Sequence, residues 1–234
     1  MPEALPPRPD DPVAIRAMFV ALAPDYDRLN VLFTFGLVTR WRRALIRAAR
    51  VGPGDRVLDV CTGTGRVLRM LRPLVEPEGL AVGIDFTAAM LHRAEGNVAL
   101  ADALRLPFPA GRFDATVSAF ALRDVADQGT YLAEMARVTR PGGRIALLDI
   151  GVPAPGPARW GFNTWFRGAV PRLAGIFGQR DPYRFLVSSV DYLPTPGELC
   201  GAMERAGMIG PRWRSLTLGA ARVFWARAGR TVSE

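Results

Sequence analysis

The chain has 234 residues, 49% hydrophobic and 22% charged, with a formal net charge of +8. That length suits one domain with its own core, and the composition lies far from the regime of disordered chains. The chain has no lysine, so all 30 of its Lys-or-Arg positions are arginine, a usage that genomic base composition explains, though the surplus would still attract anionic partners such as nucleic acid or anionic lipid.

Cys61 and Cys200 are the only cysteines, too few for a disulfide framework, which fits a reducing compartment. The proline-rich start, Met1 to Pro12, lacks the basic and apolar regions of a secretory signal, so a cytoplasmic protein is expected. The apolar run Val31 to Val38 is well short of the roughly 20 residues that cross a membrane. Contact with a membrane surface stays compatible with it.

Residues 1–12 read as a flexible lead-in and 13–230 as one domain. Within it, 13–50 form an N-terminal helical cap: Val13 to Ala23 has helical spacing up to Pro24, and Leu37 to Arg50 is amphipathic, with Arg40, Arg43, Arg47 and Arg50 on one face. After Gly52-Pro-Gly54, strands are predicted over Arg56 to Cys61, Leu80 to Ile84, Val98 to Ala101, Phe113 to Phe120 and Arg144 to Ile150. Helices are placed at Arg66 to Leu74, Thr87 to Glu95 and Asp127 to Thr139, the last ended by Pro141-Gly-Gly143. Such alternation predicts an α/β fold, a doubly wound parallel sheet covered on both faces. Residues 151–207 are a helical insertion with an aromatic-rich stretch to about Phe177 and a helix near Thr195 to Ala206. Arg212 to Leu218 and Ala220 to Arg227 then form an antiparallel hairpin at the sheet's edge.

Val57-Leu-Asp-Val-Cys61 runs into Thr62-Gly-Thr-Gly65 and a helix, the setting in which a glycine turn lets a nucleotide approach the backbone at Gly63 and Gly65. A tight strand-to-helix turn alone would look the same. Asp85, ending the next strand, is placed to accept hydrogen bonds from ribose hydroxyls. Leu68 stands where a dinucleotide fingerprint wants a third glycine, which disfavours a nicotinamide cofactor, and Asp59 suits a cationic amine better than pyrophosphate. Asp102 opens Asp-Ala-Leu-Arg-Leu-Pro-Phe108, at a strand end where adenine could lie; the plainer reading is a turn cap. No cluster of residues at metal-ligand spacing is present, and the lone His92 reads as solvated or packed.

These stretches, with Ala23-Pro-Asp-Tyr-Asp-Arg-Leu-Asn30, Trp41-Arg-Arg43, Phe120-Ala-Leu-Arg-Asp-Val125 and Leu216-Thr-Leu-Gly219, resemble the ubiquinone and menaquinone biosynthesis C-methyltransferases. The resemblance implies a seven-stranded Rossmann-like sheet, S-adenosylmethionine contacted at Thr62, Asp85 with Phe86, Asp102 and Ala103, and a small lipophilic quinol as acceptor. It further implies catalytic roles for Arg123 as oxyanion stabiliser, Asp124 as base and Tyr26 as a hydrogen-bond partner of the quinol oxygen. Ala119, Ala121 and Asp124 depart from the family's usual serine, glycine and asparagine, which keeps open a methyltransferase of another phenolic or polyketide molecule. An RNA methyltransferase is suggested by charge alone, without stacking-aromatic motifs, so no nucleic acid is expected. The apolar stripe Phe162, Phe166, Val170, Leu173 and Phe177 reads as core or as a groove for the prenyl tail. The arginine face of 40–50 is matched to anionic lipid, and a homodimer is left open.

Overall fold

A computed structural model describes residues 11–229. The lead-in reading therefore falls largely outside the described residues, but Asp11 and Pro12 do not belong to it. The Asp11 carboxylate accepts the Ala14 amide at 2.9 Å and caps α1 (Pro12–Leu22).

A seven-stranded sheet has the order β3-β2-β1-β4-β5-β7-β6. Its strands are β1 (Arg56–Val60), β2 (Leu80–Asp85), β3 (Asn97–Leu100), β4 (Phe113–Ala119), β5 (Thr139–Ile150), β6 (Met208–Leu216) and β7 (Ala221–Ala228). The first five pair in parallel, and β7 enters antiparallel between β5 and the edge strand β6. The central strands are apolar on both faces because helices cover both. On one face α3 (Leu37–Ala49) and α4 (Arg66–Val75) bury Trp41, Leu45, Leu68 and Leu71. On the other, α6 (Gln128–Val138) and α10 (Pro196–Arg205) bury Tyr131, Leu132, Met135 and Met203. Each such side chain contributes about 1.5 to 3 kcal/mol by leaving water.

A third apolar cluster lies above the strand ends. It joins α1 and α2 (Tyr26–Phe33) to α8 (Val170–Ile176) and α9 (Arg180–Ser188) through Ile15, Leu29, Phe33, Val170 and Phe185. The cap is thus α1 and α2, while α3, grouped with them in the sequence reading, is a layer of the sheet, packed on β4, β5 and β7. Pro141-Gly-Gly143 does not end a helix. Phe113 pairs with Thr139 and Ala115 with Arg144, so the intervening residues bulge from β5, with Gly142 at φ +76°. The helix expected over Thr87 to Glu95 shrinks to α5 (Ala88–Leu91). The aromatic stripe divides: α7 (Pro157–Phe162) runs into a π-helical segment, Asn163–Ala169, before α8. Val170 is core, Phe162 stacks on Phe166 at 4.9 Å, and Trp160 is exposed.

Candidate active site

The carboxyl ends of β2, β1 and β4 open into a cavity of about 560 Å³, in the place where doubly wound sheets bind ligands. The order of the strands orders the site. The loop after β3 supplies Asp102 and Ala103; β2 supplies Asp85, with Phe86 after it. β1 leads to Cys61 and Gly63, and β4 to Phe120 and Asp124. Ile15, Phe19 and Tyr26 of the cap cover the opening, and Arg16 lies 5.2 Å over the Phe86 ring.

Gly63 has φ +58°, and a Cβ there would project into open space; its N–H donates to Asp85 Oδ2 at 2.9 Å. The Thr87 amide donates to Asp85 Oδ1 at 2.8 Å. A carboxylate has about four acceptor sites, so Asp85 keeps capacity for ribose hydroxyls, although burial raises its pKa. Asp102 accepts the Leu104 amide at 2.9 Å, the turn cap read from the sequence, and the same residue lines the cavity.

Three predicted contacts stand back from the cavity. Asp59 is 1% exposed, and the Thr62 hydroxyl donates to its Oδ2 at 2.6 Å. Burial pushes its pKa up to about 7, against the pull of that hydroxyl. Thr62 itself packs over Gly83, where a Cβ would meet it at 2.8 Å. Gly65 is needed for packing, since a Cβ on it would lie 2.9 Å from that of Ala94. Cys61, expected to be mere packing, lines the cavity, and burial raises its thiol pKa well above the ordinary value, which keeps it protonated.

Arg123 does not line this cavity. It borders a smaller one of about 50 Å³, shared with Tyr26 and Phe120 and closed by α9. Its Nη1 pairs closely with Asp149, and its Nε donates to Ser189 Oγ at 3.1 Å and lies 3.9 Å from Asp124 Oδ1. Asp149 and Ser189 carry no motif and are 26 and 66 residues from Arg123 in sequence; nothing local marks them. The Asp124 oxygens are sealed from water without a hydrogen-bond partner. Burial pushes its pKa up to about 7 against the attraction of Arg123. Tyr26, partly buried between the two cavities, has its pKa raised by the same cause. Among the described residues there is no group of acids, cysteines or histidines able to hold a metal ion.

A glycine turn facing open space, a carboxylate ending the next strand and a cavity at the carboxyl edge of a doubly wound sheet are the layout in which nucleoside cofactors bind. Solved methyltransferases share the fold. A putative Haloferax volcanii methyltransferase in complex with the Trm112 activator aligns with TM-score 0.66 and 19% identity over 91% of this chain and 98% of that one. A Thermotoga maritima SAM-dependent methyltransferase aligns at 0.65 and 16%, over 92% and 99%.

The chain belongs to the ubiE/COQ5 methyltransferase family, whose model matches residues 10–228. It is 38% identical to the demethylmenaquinone methyltransferase of Thermus thermophilus, over 88% of this chain and 97% of that protein. It is 34% identical to the ubiquinone/menaquinone biosynthesis C-methyltransferase UbiE of Geobacter sulfurreducens, over 92% and 88%. The chain is therefore a methyltransferase, and its cofactor is S-adenosylmethionine. The site fits that cofactor: Gly63 leaves room for a ligand, Asp85 keeps acceptor capacity, and no third glycine prepares a pyrophosphate cradle.

Proposed function

We propose that this enzyme methylates a ring carbon of a prenylated quinol, with demethylmenaquinol as the acceptor. The observation that carries the reading is one cavity joining nucleoside-binding groups on β2 and β1 to Tyr26 and Asp124 after β4, in a chain more than a third identical to proteins named for that reaction.

Bound there, S-adenosylmethionine supplies an electrophilic methyl group. The chain has to hold the quinol ring, favour its ionised hydroxyl and take up the displaced ring proton. Tyr26, whose raised pKa keeps the phenol protonated, hydrogen-bonds the quinol oxygen. Asp124 takes the proton, since a base with pKa near 7 balances ionisation against basicity at neutral pH; its sealed carboxylate turns toward the cavity to do so. Arg123, tied to Asp149, acts from behind as a positioning residue rather than on the substrate. Beside them, Ala119 lacks the hydroxyl of the family's usual serine and Ala121 carries a methyl group where the family has glycine, so this end of the cavity is less polar without gaining room.

Incubating the enzyme with labelled S-adenosylmethionine and demethylmenaquinol is expected to give labelled menaquinol. Transfer to an unrelated phenol, with none to the quinol, would replace this acceptor with another phenolic one.

We also place the exposed arginines of α3, Arg40, Arg43, Arg47 and Arg50, against anionic lipid, with the enzyme on the cytoplasmic surface of the membrane that holds its substrate. None of the four has an ion-pair partner among the described residues, and no helix of the described residues is long and apolar enough to cross a membrane. Arg50 lies near Arg144, which faces Arg227 across the β5–β7 pair. Like charges directly opposite on neighbouring strands repel, and an anionic surface relieves that repulsion.

A further inference from the structure

Arg42 lies on the inner side of α3 and is 7% exposed. A guanidinium carries five N–H donors, and burying such a charge is costly unless it is paired. Arg123, the other buried arginine of the site, meets that demand through Asp149 and Ser189. Arg42 has neither a hydrogen bond nor an ion pair among the described residues. Its nitrogens are nonetheless not among those sealed from water, although Arg42 does not itself line either cavity.

The groups whose charges reach it are Tyr26, Asp27 and Asp59, which favour its cation, and Arg66, which opposes it. The acids are already engaged. Asp27 accepts from the Thr64 hydroxyl at 3.0 Å and pairs with Arg66 at 2.8 Å; Asp59 accepts from Thr62. Arg42 is left as a cation beside the glycine turn without a counter-ion, next to Tyr26, which together with Gly63 forms the cavity wall at that end.

Strand order says which part of the cofactor arrives there. With adenine beside Asp102 after β3 and ribose at Asp85 on β2, the amino-acid end of S-adenosylmethionine comes to the turn after β1. That end is a zwitterion. The carboxylates of Asp27 and Asp59 already border the turn, so what the ligand's carboxylate lacks is a cation.

We propose that Arg42 binds the carboxylate of the cofactor's amino-acid end and so fixes the depth at which the cofactor sits. The inference rests on S-adenosylmethionine being the cofactor, and does not depend on the identity of the acceptor.

Calorimetric titration of the full-length protein with S-adenosylhomocysteine, and with its analogue lacking the carboxylate, tests it. The unmodified protein is expected to prefer S-adenosylhomocysteine by about 10- to 100-fold, the range for a charge-assisted hydrogen bond. Arg42→Met is expected to lose that preference while holding the analogue as before, and Arg42→Lys to recover part of it. Equal loss of both ligands in Arg42→Met, or no loss of either, would overturn the proposal. So would the absence of a preference in the unmodified protein, a measurement that holds even if Arg42→Met does not fold. Failure of the unmodified protein to bind S-adenosylhomocysteine at all would instead reject the cofactor.

Discussion

Asp124 and Asp149 are two carboxylates facing one guanidinium, that of Arg123, in a space closed to water. Burial of the Asp124 carboxylate outweighs the attraction of Arg123, which Asp149 holds closely, and so draws a proton to Asp124. An acid whose folded pKa of about 7 lies above its unfolded value of about 3.9 takes up a proton on folding. Its contribution to stability therefore falls as pH rises between those values. Asp124→Asn, which carries no proton to lose, is expected to melt above the parent beyond pH 7 and to converge with it near pH 4. As the base, Asp124 must be ionised, so methyl transfer is expected to rise with pH through about 7 and to become flat and at least tenfold slower in Asp124→Asn. A pH profile of turnover beside melting curves checks both, and an unchanged rate in Asp124→Asn would remove the base role. At this scale the sequence shows Gly63, Asp85 and Asp102, because strand-to-turn motifs keep their residues in local register. Asp149, Ser189 and Arg42 are invisible there, since what makes them notable is a partner, or the lack of one, brought in by a distant element.

The turn between β1 and α4 uses its glycines for different purposes. Gly65 gives way to the turn that follows α5, whereas Gly63 opens on the cavity. Gly65→Ala is expected to cost about 2 to 4 kcal/mol, from overpacking against Ala94 added to a left-handed backbone at φ +74°. Gly63→Ala is expected to cost about 1 to 2 kcal/mol, yet to weaken S-adenosylhomocysteine binding by more than tenfold. Chemical denaturation and calorimetry separate the two, and equal effects of both substitutions on binding would contradict the division. The same packing bears on how α5 reads in sequence: helical spacing continues to Glu95, but the close approach of Gly65 to Ala94 goes with a chain that leaves the helix after Leu91. Long elements with one apolar face, such as α3 and α6, are legible within a residue or two. The eight-residue α2 and the nine-residue α9 are not, because their helicity depends on the cap cluster they complete rather than on their own periodicity.

Across the whole molecule, positive charge collects on the face that α3 shares with the outer strands. Arg212 and Arg214 of β6 lie opposite Trp225 and Val223 of β7, and Val223 packs in the α3 cluster, so these arginines extend the same side. Flotation with anionic vesicles is expected to recover the protein at low salt and to lose it as salt screens the contact. No recovery at low salt would remove the membrane placement, and equal recovery from neutral vesicles would assign it to apolar contact instead. The alternation of strands and helices made the doubly wound sheet legible, but not which helices roof the cavity, because a roof is defined by what it covers.

The roof has a consequence of its own. Helix α1 packs on α5 and α9, and its Ile15 and Phe19 line the cavity. Where product release limits turnover, the dwell time of the spent cofactor depends on the first helix of the chain, and on its Arg16–Phe86 contact, as well as on the residues that carry the chemistry.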